Sequence, residues 1–468
     1  MGALRAGGFG WYIDPEAVLE FLEFGFVTEE RSIYRGIRKL PPATILEWRG
    51  GHLTTRCYWT LPEIDLSSTI GFEDAVERTE ELIVDAVRLR VQADVPVGAL
   101  LSGGVDSALV CWALKKINAN ITAFTVTTPG DPADEDEDAR LTADVLGIPQ
   151  RSVALHGGGT VPVEELVNAY SEPFACQSAA GMLRVSEAVK PFATVLLTGD
   201  GGDEVFCGYP FMYNAWRAER IAQRLPRAAT PAWHVLRNAI PPVGLIRRGR
   251  NFFDYVVGGL GSYNRVRQGL PYFEERNLLG ERLAFSRLSQ RQFPASADSA
   301  RRLFSDVLAY QKKTHFQSEF LPKVDASTMY YAIEARSPFL DQVIWEFASQ
   351  LPAQIRFHGG KLKAILRAIV ARRVDPRVAV RQKRGFTVPV EAWLRQSPRI
   401  LDALRHGSLI ERAGWIEAGR LGPAIDAALR SKVVPTQLWY LVVLESWMRR
   451  ERSAGCEPIR SERLRVAI

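Results

Sequence analysis

The alternation of hydrophobic and polar residues near the start of the chain is typical of short strands. β-like runs occupy residues 43–48 and a stretch that ends at Trp59, and the tight turn 49–52 joins them. Two such runs around a short glycine turn predict a β-hairpin. A hairpin of this size is too small to be a stable domain by itself. We therefore expect residues 1–62 to be a small, short-stranded element that precedes a larger domain.

The pattern changes after residue 62 to an alternation of helix-like and strand-like segments. Helical spacing over 72–92 is followed by a continuous apolar run, and the same order repeats to about residue 210. This order predicts an α/β fold, with a parallel sheet covered by helices on both faces. The predicted strands are 95–101, 121–127 and 194–197, and the predicted helices are 72–92, 108–117 and 138–146. From about residue 210 onward the pattern is mostly helical, with breaks marked by proline.

The composition excludes several classes of protein. The chain has 468 residues, of which 47% are hydrophobic and 24% charged, as in ordinary globular proteins and unlike disordered ones. No apolar run is long enough to span a membrane, and no secretory leader is expected at the start. The five cysteines are scattered and form no CxxC pair, which argues against a disulfide framework and a zinc site. We therefore expect a cytoplasmic protein with no membrane partner.

The positive charge of the chain is concentrated in one segment. The net charge is +6, but residues 205–302 contain sixteen arginines, no lysine and six acidic residues. A basic module of this kind could meet an acidic substrate, a phosphate-bearing partner or a nucleic acid, or simply form solvated helix faces. Aromatic residues are not interleaved with the arginines, so we expect no nucleic-acid partner.

The sharpest chemical signal is a glycine-rich turn, LSGGVDS at residues 101–107, between a predicted strand and the helix that follows it. Such a turn directs backbone N–H groups and the positive end of a helix dipole at an anion. Gly103 and Gly104 allow a close approach, while Ser102 and Ser107 add hydroxyl groups. The lysine of a Walker A loop is missing, so this is a different kind of phosphate loop.

Carboxylates accompany this turn and a second loop. Asp106 lies inside the anion-binding turn, where it would repel phosphate unless a cation bridged the two, so Mg2+ is implied. The second loop, residues 198–204, carries three carboxylates in five positions immediately after another predicted strand. If both loops end adjacent parallel strands, they face one crevice, and Asp106 and Asp203 can share a magnesium–pyrophosphate unit.

Four segments together resemble the signature segments of the asparagine synthetase family. They are SGGVDS at 102–107, TGDGGDEVFCGY at 198–209, EARSPFLD at 334–341 and RQKRGFTVPVEAWLR at 381–395. The resemblance covers about residues 30–450. It is to the synthetase domain, which has the PP-loop ATP pyrophosphatase fold, so it implies a five-stranded parallel sheet followed by a mostly helical part. On this basis we expect a remnant of a glutaminase-type domain at 1–62, the ATP-binding domain at 63–450 with a basic helical insert at 205–310, and a tail at 451–468.

The resemblance implies a reaction and its cofactors. A carboxylate attacks the α-phosphorus of ATP with Mg2+ present, pyrophosphate leaves, and an amine then displaces AMP to form an amide. The default substrates would be aspartate and ammonia, which give asparagine. A separate glutaminase could supply the ammonia, and a homodimer is left open.

Site residues follow from the resemblance by position. Asp106 and Asp203 match the magnesium carboxylates. Asp200 matches the catalytic base with Glu334 as its partner, and Lys383 matches the lysine that neutralises the transferring phosphoryl group. The nucleotide-binding positions are Leu100, Ser102, Gly103, Gly104, Asp106, Ser107, Val126, Thr198 and Gly199.

Two departures from the family pattern affect the substrate. Glutamine-dependent members begin with a cysteine directly after the initiator methionine, whereas residue 2 here is glycine, so no glutaminase activity is expected in this chain. Cys176 stands where an acidic residue is expected, which weakens the assignment of aspartate as the acceptor. The alternatives are a natural-product amide-forming enzyme, such as a lasso-peptide macrolactam cyclase, and a non-catalytic member of the family.

Overall fold

The computed structural model describes most of the chain. The described residues are 4, 12–28, 31–65, 67–127, 134–155, 162–226, 228–241, 243–265, 269–284, 296–381, 390–396, 398–431 and 433–453.

Within the described ranges, seven strands form two sheets. The strands are β1 (Thr44–Arg49), β2 (His52–Cys57), β3 (Val97–Leu100), β4 (Thr122–Thr127), β5 (Gln150–Ala154), β6 (Val195–Leu197) and β7 (Glu334–Arg336). The larger sheet has five strands in the order β5-β4-β3-β6-β7, and every neighbouring pair is parallel. The predicted parallel α/β fold is therefore confirmed. The hydrophobic pattern located β3, β4 and β6 but missed β5 and β7, which are short and have mostly polar or exposed side chains.

Helices make up most of the rest. They are α1 (Pro15–Phe24), α2 (Phe72–Arg90), α3 (Val105–Lys116), α4 (Asp136–Leu146), α5 (Val163–Ala169), α6 (Gln177–Val189), α7 (Gly202–Val205), α8 (Pro210–Ala222), α9 (Ala229–Arg237), α10 (Gly244–Arg265), α11 (Leu270–Glu274), α12 (Glu281–Ala284), α13 (Ala297–Ala300), α14 (Leu303–Gln311), α15 (Leu321–Tyr330), α16 (Gln342–Gln350), α17 (Ala353–Arg356), α18 (Ala364–Arg373), α19 (Pro376–Ala379), α20 (Val390–Gln396), α21 (Pro398–Arg405), α22 (Leu409–Arg412), α23 (Leu421–Arg430) and α24 (Thr436–Ser453). A π-helix, Lys312–Phe320, joins α14 to α15, and 3-10 turns lie at Pro338–Leu340 and His358–Gly360.

The large sheet is buried because helices cover both of its faces. Helices α2, α3, α4 and α18 pack in one hydrophobic cluster with Ala99 and Leu197. On the opposite face, Leu196 packs with Val189 of α6 and with Ile333. Leu196 and Leu197 point to opposite faces because side chains alternate along a strand. A sheet covered on both sides requires strands that are apolar throughout, which is why β6 has a fully buried sequence.

The order of the strands creates a crevice at one edge of the sheet. β3 lies in the centre, and the chain runs from it to β4 on one side and, later, to β6 on the other. The loops that leave β3 and β6 therefore diverge from neighbouring strand ends. This is the point where open parallel sheets bind their ligands.

The first 62 residues are only partly short-stranded. The predicted hairpin is present, with Arg49 paired to His52 across a two-residue turn. The segment before it is a helix, which the strand prediction missed. Asp14 caps the start of α1 by accepting a hydrogen bond from the backbone of Glu16, and Gly25 ends it with φ 84°. α1 is buried in the same hydrophobic cluster as α24 near the end of the chain.

The described residues from 210 onward are mostly helical, as predicted, and β7 is the strand among them. Within the basic insert, helices α8, α10, α13 and α14 share a small hydrophobic core of their own. A much larger core joins α1, α5 and α6 to helices α20 to α24. Among the described residues, no helix combines the length and the apolar character that crossing a membrane demands.

Candidate functional site

Two carboxylates and one lysine meet where the loops after β3 and β6 converge. Asp106 lies in the first turn of α3 and Asp203 in the first turn of α7. The ammonium of Lys363 forms an ion pair with both, at 2.5 Å from Oδ1 of Asp203 and in direct contact with Oδ2 of Asp106. The predicted convergence of Asp106 and Asp203 on one crevice is thus what the structure shows. The lysine comes from a segment more than 150 residues further along the chain, just before α18.

Glycines allow the two loops to approach this closely. A Cβ atom added to Gly202 would lie 2.6 Å from Cγ of Asp106, and one added to Gly199 would lie 2.9 Å from the backbone nitrogen of Ser107. At Gly208 the added atom would lie 1.8 Å from Oδ1 of Asp203. These separations are too short for any real side chain. Glycine is therefore needed at these three positions because a side chain would not fit, and not only because glycine is flexible.

Lys363 is held charged and in a strained conformation. Burial acts to lower the pKa of Lys363, whereas the charges of Asp106 and Asp203 raise it, and the resulting pKa lies above the ordinary value for lysine. Its φ of 52° is in the left-handed region, which is costly for a residue other than glycine and is often retained at functional sites. Arg367, one turn further along α18, has its pKa lowered by burial.

The serine hydroxyl groups of the first loop form hydrogen bonds within that loop. The Oγ atoms of Ser102 and Ser107 are 3.0 Å apart, and Ser102 Oγ accepts a hydrogen bond from the backbone of Gly104. Arg381 donates to the carbonyl oxygen of Gly103 at 3.2 Å. It also forms an ion pair with Asp138, which packs below the loop. These contacts fix the shape of the turn that the sequence identified as a phosphate loop.

A second group of polar side chains lies beside the carboxylate pair. Tyr209 donates a hydrogen bond of 2.5 Å to Oε1 of Glu204. Burial first, and then the charge of Asp203, raises the pKa of Glu204. Burial lowers the pKa of Lys323, but the charge of Asp200, with smaller contributions from other groups, raises it above the ordinary value. Lys323 therefore remains an ammonium group within electrostatic reach of Asp200.

A π-helix brings further groups to this side. His315 Nδ1 and Glu319 Oε2 lie 2.8 Å apart along the segment Lys312–Phe320. π-Helical turns are rare and occur frequently at functional sites. Burial, and then the charge of Glu319, raises the pKa of Cys176 to about 12, so Cys176 is a neutral thiol. We call Asp200, Glu204, Cys176, Glu319 and Lys323 the acceptor-side group.

The structure brings most of the predicted residues to this crevice, with one exception. Glu334 is exposed, forms an ion pair with Arg336 at 2.8 Å, and lies level with Val195 at the beginning of β6. The loop that carries Asp200 follows the other end of β6. Glu334 is therefore not placed as the partner of Asp200, and that expectation was wrong. The residues placed on or next to the two loops are Leu100, Ser102, Gly103, Gly104, Asp106, Ser107, Val126, Thr198, Gly199, Asp200 and Asp203.

Lys383 lies outside the described residues. Arg381, two positions before it, is anchored to the phosphate loop as described above. The role assigned to Lys383 stays a prediction.

Sequence reasoning missed the two lysines of the site. Lys363 lies in a run of alternating basic and apolar residues that opens an ordinary helix, and Lys323 lies in the apolar helix α15. Neither position carries a local signal such as a glycine turn. Only the packing of distant segments shows that each ammonium group faces carboxylates.

The donor set fits a magnesium–nucleotide complex. Mg2+ binds oxygen ligands and is usually held by one or two carboxylates together with substrate phosphates and water. Asp106 and Asp203 supply two carboxylates in a cradle that added Cβ atoms would fill. Within the ranges that the structure describes, no group of three or more His, Cys, Asp or Glu residues could hold a metal by itself. The arrangement therefore suits a cation shared with a ligand better than a closed metal site.

Comparisons with known proteins agree with this geometry. The asparagine synthase family matches residues 78–449, a span that includes both loops and both lysines. Asparagine synthetase (glutamine-hydrolyzing) 1 from Bacillus subtilis is 28% identical over 396 residues, covering 82% of this chain and 60% of that protein. A putative asparagine synthetase (glutamine-hydrolyzing) from Mycobacterium tuberculosis H37Rv is 26% identical over 473 residues, covering 94% of this chain and 68% of that protein.

A further relative carries a different name. Amidase chry2 from Gibberella zeae is 26% identical over 432 residues, covering 81% of this chain and 63% of that protein. The chain thus spans between 60% and 68% of the length of these three relatives. The family match itself covers well over half of the chain. The chain therefore belongs to the asparagine synthase family.

Proposed function

We propose that the protein is an ATP-dependent ligase that activates a carboxylate as its adenylate and converts it to an amide. The observation that carries the proposal is the meeting of Asp106, Asp203 and Lys363 at the ends of two neighbouring parallel strands. Two carboxylates and a buried ammonium at a strand-end crevice suit a magnesium–triphosphate group. The glycine turn beside them offers backbone N–H groups to the same phosphates.

We call Asp106, Asp203, Lys363 and the glycine turn the phosphate side of the site, and its role is to neutralise charge. Asp106 and Asp203 would hold Mg2+, which would neutralise the pyrophosphate leaving group. Lys363 now neutralises the two carboxylates. With ATP present we expect its ammonium to turn to the phosphate oxygens, because its raised pKa keeps it charged. Lys383 is expected to add a second cation there.

The reaction needs a leaving group and a base. The substrate carboxylate attacks the α-phosphorus of ATP, the bond between the α- and β-phosphates breaks, and pyrophosphate leaves. The amine nitrogen then bonds to the acyl carbon, the bond from that carbon to the AMP oxygen breaks, and the amine loses a proton. Asp200, on the second loop, is the expected acceptor of that proton.

The acceptor-side group is expected to bind the carboxylate substrate. Lys323 supplies the positive charge that attracts a carboxylate, and Glu319 can accept hydrogen bonds from an amino group. Aspartate with ammonia, giving asparagine and AMP, is the default pair of substrates. The names of the Bacillus and Mycobacterium relatives support this choice.

A second candidate is an amide-forming enzyme of natural-product biosynthesis, such as a lasso-peptide macrolactam cyclase. Two observations favour it. Cys176 puts a neutral thiol where an acidic residue was expected, and one relative of comparable identity is named an amidase. In this case the same adenylation site would act on a peptide carboxylate, and a peptide amine would replace ammonia.

A pyrophosphate-release assay tests the proposal. Purified protein with ATP and Mg2+ is expected to release pyrophosphate only when the right carboxylate is present, and candidates include aspartate and linear peptides, each with and without ammonia. Asp106→Ala should abolish release with every carboxylate, because it removes one of the two metal ligands. Asp144→Ala, an exposed aspartate on α4, is the matched control and should keep full activity.

The assay also distinguishes the alternatives. Release with aspartate and ammonia supports the default reaction, and release with a peptide alone supports the macrolactam alternative. A folded protein that binds ATP but releases no pyrophosphate with any carboxylate would favour a non-catalytic member. Full turnover by Asp106→Ala would contradict the site itself.

A further inference from the structure

The basic insert contains a helical hairpin whose tip is apolar. Helices α9 and α10 and the turn between them leave large aliphatic side chains in solvent. Val235 and Leu245 are each 80% exposed, values that only projecting side chains reach. The other exposed residues of the tip are Leu236, Val243 and Ile246. We call these five residues the hairpin tip. Such a concentration of exposed aliphatic side chains in one short part of the chain is typical of an interaction surface.

The hairpin is a built structure and not a loose loop. Asp254 on α10 accepts a hydrogen bond from Trp233 Nε1 at 2.8 Å and one from Arg237 Nε at 2.7 Å, which ties the two helices together. Arg250 donates to the carbonyl oxygen of Ile240 at 2.8 Å and closes the turn. The base of α10 is buried in the core of the insert. The structure therefore presents the tip on a fixed support.

The charge around the tip has one sign. Residues 228–253 contain four arginines and no aspartate or glutamate. Arg237 is neutralised by Asp254, the first acidic residue after this stretch. Arg247 and Arg248 directly follow the apolar residues of the tip and are exposed. The surface thus combines projecting aliphatic groups with adjacent guanidinium groups.

We propose that the hairpin tip docks on an anionic lipid surface. Aliphatic side chains that project from a convex tip can enter the interface of a bilayer, while arginines beside them contact anionic headgroups. A second copy of the chain is a poor occupant, because two tips would bring four exposed arginines together without an acidic partner. Protein–protein interfaces concentrate their binding energy in Trp, Tyr and Arg residues at a well-packed centre. The tip has none among its five residues.

This contact is peripheral and requires no membrane-spanning helix. No membrane partner was expected from the sequence, because it has no apolar run long enough to span a membrane. Docking by a hairpin uses a few side chains at the interface only. It is also independent of the proposed ligase activity, since no residue of the hairpin tip belongs to the carboxylate–lysine site.

Vesicle flotation with the full chain tests the proposal. The probes are vesicles of phosphatidylcholine alone and of phosphatidylcholine with 30% phosphatidylglycerol, a fraction chosen at roughly the anionic content that attracts basic segments. The protein is expected to float with the anionic vesicles at low salt and to be released as the salt concentration rises. It is not expected to float with the neutral vesicles. Leu245→Asp with Ile246→Asp should weaken the binding at least about 10-fold, because two inserted side chains become charged.

Matched variants complete the design. Arg247→Gln with Arg248→Gln should weaken binding by about 25-fold, since each basic residue near an anionic surface contributes roughly a factor of five. Val433→Asp, a similarly exposed valine far along the chain, is the control and should bind like the parent. Thermal melting establishes that each variant is folded.

Several results would overturn the proposal. These are absence of flotation by the parent protein at low salt, equal binding to neutral vesicles, or equal losses in Val433→Asp and the tip variants. A change of oligomeric state in the tip variants without any change in flotation would assign the surface to a second copy. Pyrophosphate release should be unchanged in every tip variant, which separates this proposal from the proposed function.

Discussion

The phosphate side and the acceptor side of the site are built in different ways. On the phosphate side, two short loops bring Asp106 and Asp203 together, and glycines with no room for a side chain fix their distance. The acceptor-side group comes from several segments, among them the start of α6, the second loop and the π-helix before α15. The first arrangement can change little without losing the nucleotide. The second can change one residue at a time, which is how a family can keep one activation chemistry and vary its substrate.

Removing the lysine of the phosphate side is expected to have the largest effect. Lys363→Met leaves Asp106 and Asp203 facing each other without their cation, so phosphate binding becomes repulsive. We expect pyrophosphate release to fall by roughly 10³-fold with every carboxylate, the upper range for loss of a fixed electrostatic group. Steady-state assays with saturating ATP measure this. Lys361→Met, which alters an exposed lysine two positions earlier, should retain full activity.

The next variant separates the two halves of the reaction. Asp200→Asn keeps the shape of the side chain but removes the base, so amide formation should fall by about 10²-fold while adenylate formation falls much less. Rapid-quench measurements of pyrophosphate and amide in one turnover give both rates. Equal losses in the two steps would show that Asp200 belongs functionally to the phosphate side.

A smaller effect is expected on the acceptor side alone. Lys323→Met removes the positive charge next to Asp200 and should raise the KM for the carboxylate about 10-fold, the cost of one charged hydrogen bond. The KM for ATP should not change. Lys323→Arg should recover part of the loss, and Lys313→Met, an exposed lysine of the π-helix, is the control. A matching rise in the KM for ATP would contradict the division into two sides.

The last prediction concerns the stability of the protein and not its activity. Burial raises the pKa of Glu23 on α1 to about 7, although its Oε2 accepts a hydrogen bond from the backbone of Leu270 at 2.8 Å. The folded protein therefore binds more protons here than the unfolded chain between about pH 4.5 and pH 7, and its stability falls as the pH rises through that window.

Glu23→Gln should remove this dependence. The variant is expected to match the parent near pH 4.5 and to be more stable by about 3 kcal/mol at pH 8, since the pKa shift from 4.5 to about 7 corresponds to about 1.4 kcal/mol per unit. Urea unfolding at a series of pH values measures the difference. Glu77→Gln, an exposed glutamate on α2, should not show it.

The same division explains what could be predicted from the sequence. The α/β order and the phosphate loop were found because both depend on local patterns, namely apolar strands and glycine turns at strand ends. β7, with only three residues and no apolar run, has no such pattern and exists because β6 pairs with it. Lys363 and Lys323 acquire their roles only when distant helices pack. Glu334 was misplaced because a motif gives an order along the chain, whereas the register of β7 decides at which end of the sheet the side chain lies.

One contact between the two ends of the chain has a consequence for biosynthesis. Tyr34 donates a buried hydrogen bond of 2.6 Å to Glu451, and its ring lies 5.9 Å from that of Trp447 on α24. Helix α1 packs in the same hydrophobic cluster as α24, a helix that is synthesised about 400 residues later. Until α24 has been made, the side of α1 that packs against it stays exposed. A chain whose synthesis stopped before α24 would keep this apolar surface exposed. Such truncated products are natural targets for chaperones and proteases.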